Sequence, residues 1–348
     1  MSKNPGTRST SKGGSSEFRR NQAPPAQYAE WGRRVLRAHD RIRSYVARTA
    51  IEDISEISAQ DSVGVFAKME NRQETGSFKL RGATNKIRLL TPEEASAGIV
   101  AASNGNHGLG VAAAAKRAGV RAEIYVSAQV APGKAKRIEE YGAKISVRGS
   151  EPLDAELAAR EAASETARVF VSPYNDHDVM AGQGTLALEL KEQIPHLDAV
   201  FAAVGGGGLV GGIGAYLKWV SPETEIVGCW PENSAILYES LKAGRIVSCD
   251  ERPTLSESTA GGLEEGSVTL DVCRAVVDSC VLVSEEEILR AMRFMHRSRG
   301  WLIEGAAGVA IASFLKVADR YVGKTVAIVI CGANLSEKVR SEIAQVRE

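Results

Sequence analysis

Short runs of β-branched and apolar residues alternate along this chain with alanine-rich stretches of helical periodicity. This alternation is typical of parallel sheets covered by helices, because each buried strand needs a crossover to reach the next. The predicted strands are residues 98–103, 121–127, 144–149, 169–174, 197–204, 225–231 and 325–333. The predicted helices are residues 108–119, 133–142, 153–166, 209–220, 234–243, 285–299 and 305–321. The sequence therefore predicts an α/β fold.

These units fall into two sets, and 348 residues are enough for two domains, since a domain usually has ~100–200 residues. We predict a small domain of residues 98–171 and a large domain made of residues 29–97 and 172–348. Each should contain an open, twisted parallel sheet. Sheets of this class bind ligands beyond the carboxyl ends of their strands, so the cleft between the two domains is the expected site.

Residues 1–28 differ from the rest of the chain in composition. They are rich in Ser, Gly, Pro, Lys and Arg and contain few large apolar side chains. Such a segment cannot bury enough apolar surface to offset the entropy of ordering it. An organelle transit peptide is the alternative, but the segment has no amphipathic apolar stripe. We predict a disordered tail.

Charge and cysteine content limit the partners and the compartment. The chain has 43 Lys plus Arg and 43 Asp plus Glu, which gives no general attraction to nucleic acid or to anionic membranes. None of its five cysteines precedes Cys229, and their spacing matches neither a disulfide framework nor a zinc motif. Cys331 ends a predicted buried strand and by itself indicates a core cysteine. No apolar stretch approaches the ~20 residues of a membrane span. We expect a soluble cytoplasmic protein with a small-molecule partner.

Four consecutive glycines, residues 205–208, lie between a predicted strand and a predicted helix. Glycine lets backbone N–H groups approach a phosphate closely, and the start of a helix adds partial positive charge. The pattern favours a phosphate site over a simple tight turn. Gly206, Gly208 and Gly211 also satisfy G-x-G-x-x-G, with Glu232 near the next strand end. A nicotinamide or flavin oxidoreductase is therefore an alternative.

Lys79 is the second residue of interest, because it lies between the bulky residues Phe78 and Leu80. A lysine in a partly apolar pocket has a lowered pKa and becomes an amine nucleophile for carbonyl compounds. A solvated helix lysine is the more common structural explanation. Spacing alone favours that explanation.

The segment ASNGNHGLG forms another predicted turn between a strand and a helix. Ser103, Asn104 and Asn106 could offer side chains, and the helix start could offer free N–H groups, to a carboxylate. A capped helix start explains Ser and Asn equally well. His107 taken alone is more often a structural residue than a catalytic one.

Taken together and in order, TGSFKLRGA, SNGNHG, MAGQGT, GGGGL and CGAN resemble the fold-type-II pyridoxal-phosphate enzymes. The resemblance is greatest to the serine/threonine dehydratase and serine racemase group, in particular the catabolic threonine dehydratases. It extends from about residue 30 to the C-terminus. It implies a tryptophan synthase β-like fold with pyridoxal 5'-phosphate in the cleft, held mainly by the large domain. It also implies a homodimer.

The resemblance assigns roles to individual residues. Lys79 would hold the cofactor as a Schiff base and act as the catalytic base, Phe78 would pack on the ring, and Asn106 would bond the 3-hydroxyl. Cys331 would face the pyridine nitrogen, which a thiol leaves largely unprotonated, and this suits β-elimination. The implied cofactor contacts are Phe78, Lys79, Asn106, Gly205, Gly206, Gly207, Gly208, Leu209 and Cys331. The implied substrate contacts are Ser103, Asn104, Gly105, His107 and Tyr174.

Three residues differ from those at the matching positions of related enzymes, and these differences reduce the number of possible functions. Asn104 stands where the resembling racemases have a serine that acts as a second acid/base, so racemisation is disfavoured. Trp230 and Ile236 stand where related enzymes carry acidic metal ligands, so no metal is expected. We predict an ammonia-lyase that dehydrates a small β-hydroxy amino acid, L-threonine or L-serine by default, to a 2-oxo acid and ammonia. The alternatives are a 3-hydroxyaspartate dehydratase, a racemase, a nicotinamide oxidoreductase and a non-catalytic amino-acid-binding protein.

Overall fold

The computed structural model describes residues 23–58 and 62–344. The strands are β1 (Ile51–Asp53), β2 (Gly64–Lys68), β3 (Ile99–Ala102), β4 (Ala122–Val126), β5 (Lys144–Val147), β6 (Val169–Phe170), β7 (Ala199–Ala203), β8 (Glu225–Pro231), β9 (Ser279–Val283) and β10 (Thr325–Val329). The first seven helices are α1 (Pro25–Ile42), α2 (Lys79–Ile87), α3 (Pro92–Ala97), α4 (Asn106–Ala118), α5 (Pro132–Glu140), α6 (Pro152–Thr166) and α7 (His177–Gln193). The remaining helices are α8 (Gly208–Val220), α9 (Ile236–Ala243), α10 (Val268–Val276), α11 (Glu285–Arg299), α12 (Gly305–Val317) and α13 (Glu337–Ala344).

The strands form two sheets. One has six strands in the order β1-β2-β10-β7-β8-β9, and the other has four strands in the order β5-β4-β3-β6. The β1–β2 pair is antiparallel, and the other strand pairs are parallel. The central strands are buried on both faces, because helices cover both sides of such sheets. The predicted α/β fold with two parallel sheets is confirmed.

Each sheet has its own hydrophobic core. In the larger core the Phe201 ring lies edge-on to Phe314 and Tyr321, with centroid distances of 5.6 and 5.3 Å. The core of the four-stranded sheet includes Leu80 and Ala83 of α2. Helix α2 therefore packs with the small sheet although it lies within the predicted large domain. The division at residues 98 and 171 stays a prediction.

Helix α1 includes the last residues of the predicted disordered tail, so that part of the prediction is wrong. It begins at Pro25, a favourable first residue because its φ is already helical and its missing N–H is not needed there. The Tyr28 hydroxyl donates to the Ala275 carbonyl oxygen at 2.9 Å and accepts from the Ala23 N–H at 3.1 Å. Residues 25–28 are thus folded. The prediction for residues 1–22 falls outside the described part of the chain.

Other predicted boundaries also shift, and the predicted strand 169–174 is only the two-residue β6 (Val169–Phe170). Strand β10 ends at Val329 instead of residue 333, because the chain then turns to bond the segment that precedes α2. There the Phe78 N–H donates to the Cys331 carbonyl oxygen at 3.1 Å, and the Ala333 N–H donates to the Gly76 carbonyl oxygen at 3.0 Å. Helix α12 ends at Val317 and continues only as a short 3₁₀ turn. No helix in the described residues is long and apolar enough to cross a bilayer.

Candidate active site

Lys79 is the first residue of α2 and is held close to the end of β10. Ser77 forms an isolated antiparallel bridge with Gly332, and the Phe78 N–H bond to Cys331 extends this contact. The Lys79 Nζ donates to the carbonyl oxygen of Pro173 at 2.8 Å. It lies 5.2 Å from the centroid of the Phe78 ring. The residue is partly buried, and its amine is directed at the backbone of the segment that precedes α7.

Burial lowers the pKa of the Lys79 amine from 10.5 to about 8, because desolvation disfavours its charged form. The nearby Glu304 and Cys331 oppose this shift without cancelling it. An amine with this pKa is neutral in a substantial fraction of molecules near neutral pH. Lys79 is thus a nucleophilic lysine.

The four-glycine bend follows β7 and leads into α8. Gly207 has a φ of +87°, a conformation that side-chain-bearing residues rarely adopt. A Cβ atom on Gly206 would lie 2.4 Å from the Tyr174 ring. Among the described residues, none accepts a hydrogen bond from the N–H groups of Gly205 to Leu209. Unpaired donors at a helix start form an anion-binding site.

One short segment joins Lys79 to this bend. Pro173 accepts the hydrogen bond from the amine, and the next residue, Tyr174, packs over Gly206 and Gly208. The Tyr174 hydroxyl accepts a hydrogen bond from the Glu264 N–H at 3.0 Å. The Lys79 amine and the glycine bend are therefore joined through the two consecutive residues Pro173 and Tyr174. A substrate contact of Tyr174 stays a prediction.

The predicted carboxylate loop runs into the start of α4. The Ser103 hydroxyl accepts from the Gly105 N–H at 3.0 Å, and a Cβ atom on Gly105 would meet no atom within 4 Å. The Asn104 side chain donates to the Ser127 hydroxyl at 2.7 Å and accepts from the Ser127 N–H at 2.9 Å. The Ser103 and Asn104 side chains therefore stabilise the conformation of the loop. The backbone N–H groups of Asn106 and His107 have no acceptor among the described residues and remain available to a carboxylate.

His107 is neutral in this site. Burial and the nearby Lys79 charge lower the pKa of its imidazole to about 3. Its Nε2 lies 2.8 Å from the carbonyl oxygen of Val171, so Nε2 carries the proton. The side chain therefore fixes the start of α4 against β6, and it supplies no positive charge to a substrate.

The structure adds two residues that the sequence did not indicate, Glu304 and Asn334. The Asn106 side-chain amide donates to the two Glu304 carboxylate oxygens at 3.0 and 2.9 Å. The Asn334 amide donates to Asn106 Oδ1 at 2.5 Å. The Cys331 thiol also lies against Glu304, with Sγ 3.7 Å from Oε1. An acid within the apolar segment WLIEGAAG is the signal that would have found Glu304.

A sequence model of the family described as "Pyridoxal-phosphate dependent enzyme" matches residues 42–332, most of the chain. The chain belongs to this family. An L-threonine ammonia-lyase of Thermotoga maritima is 38% identical over 301 residues, which cover 86% of this chain and 75% of the relative. A β-hydroxyaspartate dehydratase of Paracoccus denitrificans is 33% identical, with 86% of this chain and 95% of the relative covered.

A solved structure with the same fold is the processed form of threonine deaminase isoform 2 from Solanum lycopersicum. It superposes with a TM-score of 0.89 at 26% sequence identity, and covers 97% of this chain and 98% of that one. The predicted family, fold and cofactor are confirmed by these comparisons. The nicotinamide alternative is wrong. Glu232, the acidic residue of that alternative, is exposed, and its Oε1 lies 3.7 Å from the Lys316 Nζ.

The residues present fit pyridoxal phosphate. The glycine bend offers unpaired N–H groups for a phosphate, and Lys79 offers an amine of lowered pKa for an aldehyde. Burial raises the pKa of the Cys331 thiol well above its usual value, so the thiol is neutral. The roles assigned to single residues stay predictions, but the three groups that the cofactor needs most lie in one cleft.

We expect the rate at which the cofactor-free protein captures pyridoxal phosphate to follow the lowered pKa of Lys79. The neutral amine reacts, so the rate should rise about tenfold per pH unit below pH 8 and level off above it. A lysine with the ordinary pKa of 10.5 would show a rate still rising at pH 10. Absorbance after rapid mixing measures this profile, and a continued tenfold rise between pH 9 and 10 would contradict it.

Proposed function

We propose that this protein is a pyridoxal-phosphate-dependent ammonia-lyase that dehydrates a small β-hydroxy amino acid, with L-threonine or L-serine as the reference substrates. One observation carries the proposal. The Lys79 amine, whose pKa is lowered, donates a hydrogen bond to the Pro173 carbonyl oxygen. The adjacent residue, Tyr174, packs against the glycine bend. A nucleophile and an anion cradle are thereby joined, as covalent cofactor chemistry requires.

The protein's own residues divide the work of the reaction. The bound cofactor supplies an aldehyde for amines and a ring that takes up negative charge. The N–H groups at the start of α4 orient the substrate carboxylate. Lys79 Nζ, once neutral and free, accepts the α-proton of the substrate. The β-hydroxyl leaves as water, and hydrolysis of the released enamine gives a 2-oxo acid and ammonia.

The environment of Asn104 supports elimination over racemisation. A racemase needs a second acid/base on the face of the substrate opposite the lysine. An amide cannot exchange a proton in this role, and both ends of the Asn104 side chain are already bonded to Ser127. We therefore propose a lyase.

A second candidate substrate, 3-hydroxyaspartate, is favoured by two cations on α5. Arg137 donates to the Asn334 side-chain oxygen at 2.8 Å, and Asn334 bonds Asn106 in the cleft. Lys134, one turn earlier, interacts electrostatically with Glu304. Neither cation forms an ion pair with a carboxylate in the described part of the chain. The Arg137 guanidinium also donates to the Thr75 carbonyl oxygen at 3.4 Å, so a second substrate carboxylate would share it with these two neutral acceptors.

A substrate panel tests the proposal and separates the candidates. L- and D-serine, L- and D-threonine and the 3-hydroxyaspartates are each scored for 2-oxo acid and ammonia. We expect equal amounts of both products from one L-β-hydroxy amino acid. If 3-hydroxyaspartate is the substrate, Arg137→Met should lower kcat/KM for it at least tenfold and leave that for L-threonine nearly unchanged. Formation of the opposite enantiomer without ammonia would reject the lyase.

We further propose a cytoplasmic homodimer that acts in amino-acid catabolism. The five cysteines are free thiols, which fits a reducing compartment. The homodimer rests on the family resemblance, and light scattering of the purified protein measures it.

A further inference from the structure

Glu304 is a buried carboxylate at the centre of the cleft, and the mechanism above does not use it. It stands at the start of α12, and its side chain is 6% exposed. Its N–H donates to the Gly332 carbonyl oxygen at 3.1 Å, so its backbone is tied to the segment that follows β10. Burying a carboxylate without a salt bridge is costly. Burial raises the pKa of the Glu304 carboxyl, and the hydrogen bonds from Asn106 and Ser258 and the charge of Lys134 oppose this shift and favour the carboxylate.

We propose that Glu304 is a positioning residue that fixes the side chains of Asn106 and Cys331 and supplies the counter-charge to the nitrogen of Lys79. The proposal goes beyond the elimination reaction and rests only on cofactor binding at Lys79.

The contacts of the carboxylate support the positioning role. Asn106 donates to both oxygens at 3.0 and 2.9 Å, and the Ser258 hydroxyl donates to Oε1 at 3.3 Å. Cys331 Sγ donates to the same oxygen at 3.7 Å. The thiol proton is therefore directed at Glu304 and away from other acceptors. Cys331 then has no proton to offer to a ring nitrogen, which agrees with the expectation that this nitrogen is unprotonated.

The charges around Glu304 support the counter-charge role. Lys79 on α2 and Lys134 on α5 are the cations that interact with it. His107 on α4 is neutral because of its low pKa, and Cys331 is neutral because of its raised pKa. The Glu304 charge acts to raise the pKa of Lys79. If Lys79 holds the cofactor, a negative charge on Glu304 would stabilise the protonated form of the Lys79 nitrogen.

The test is a spectroscopic pH titration of the reconstituted holoenzyme and does not depend on turnover. In Glu304→Gln the amide oxygen can still accept from Asn106, but the charge is removed. We expect the pH midpoint of the visible absorption change to fall by about one unit or more. Glu304→Asp, which keeps the charge, should retain a midpoint close to that of the wild type. An unchanged midpoint in Glu304→Gln would overturn the proposal.

A second variant tests the proposal if Glu304→Gln does not fold. Glu304→Met fills a similar volume without charge or polar atoms, and such replacements of buried charges are often tolerated. Its midpoint should shift in the same direction as that of Glu304→Gln, and an unchanged midpoint would again overturn the proposal. A shifted midpoint in a protein that converts no hydroxy amino acid would support this inference and reject the lyase. Normal lyase activity with an unshifted midpoint would support the proposed function and reject this inference.

Discussion

Lys79→Ala should give a folded protein that stays colourless after incubation with pyridoxal phosphate and releases ammonia about 10²–10⁴-fold more slowly, or not at all. Lys79 Nζ is the amine of lowered pKa beside the glycine bend, so its removal deletes both the covalent attachment and the base. Absorbance of the dialysed protein and a coupled assay for 2-oxo acid measure the two effects.

Lys86→Ala is the matched control, because Lys86 lies on the same helix. Its amine pairs with Asp176 at 2.7 Å and with Asp178 at 3.3 Å, at the start of α7. This variant should keep the colour and most of the activity. A yellow Lys79→Ala protein with a substantial fraction of wild-type activity would remove the basis of the proposed function.

Arg81→Met should lower the free energy of unfolding by about 3–5 kcal/mol. Arg81 is fully buried between Glu70 and Glu189, at 2.7 and 2.8 Å. Lys68 completes this buried cluster by bonding Glu189 at 2.6 Å. Removing the guanidinium leaves two buried carboxylates with one lysine, and an uncompensated buried charge is strongly destabilising.

Equilibrium unfolding in urea measures this loss, with Arg290→Met as the control. Arg290 pairs with Glu286 at 2.8 Å on the exposed face of α11, where both side chains are more than half exposed. Such surface pairs contribute about 0–1 kcal/mol. Equal stability losses in the two variants would show that the buried cluster does not stabilise α2, the helix that begins at Lys79.

Parts of the fold that the sequence did not reveal have a common physical cause. Helix α7 is buried along most of its length and includes the segment MAGQGT, whose glycines normally break helices. A Cβ atom on Gly182 would lie 2.7 Å from the Cα of Gly82, so these glycines allow α2 and α7 to approach closely. Sequence pattern cannot distinguish a glycine that ends a helix from one that lets two helices touch.

The candidate site divides in the same way. The glycine bend and the loop before α4 each lie between a predicted strand and a predicted helix, and such positions can be read from the sequence. Helix α2 was not predicted, and Lys79 was indicated only by the family resemblance. The hydrogen-bond partners of the Asn104 and His107 side chains could not be predicted from the sequence, because Ser127 and Val171 are distant in sequence. The hydrogen-bond donors that this loop can offer to a substrate are therefore its backbone N–H groups.

The alternation of strands and helices in residues 98–166 and 197–243 and the four-glycine bend could be predicted from the sequence, because each depends on local periodicity or on a short contiguous motif. The role of Lys79 was indicated only by the family resemblance. Only the tertiary structure decided that Glu304 lies against Asn106 and Cys331, about 200 and 30 residues away in sequence. This contact arises because the loop after β3 of the four-stranded sheet meets the segment after β10 of the six-stranded sheet beside the start of α12. The charge at the centre of the cleft is therefore a property of the fold.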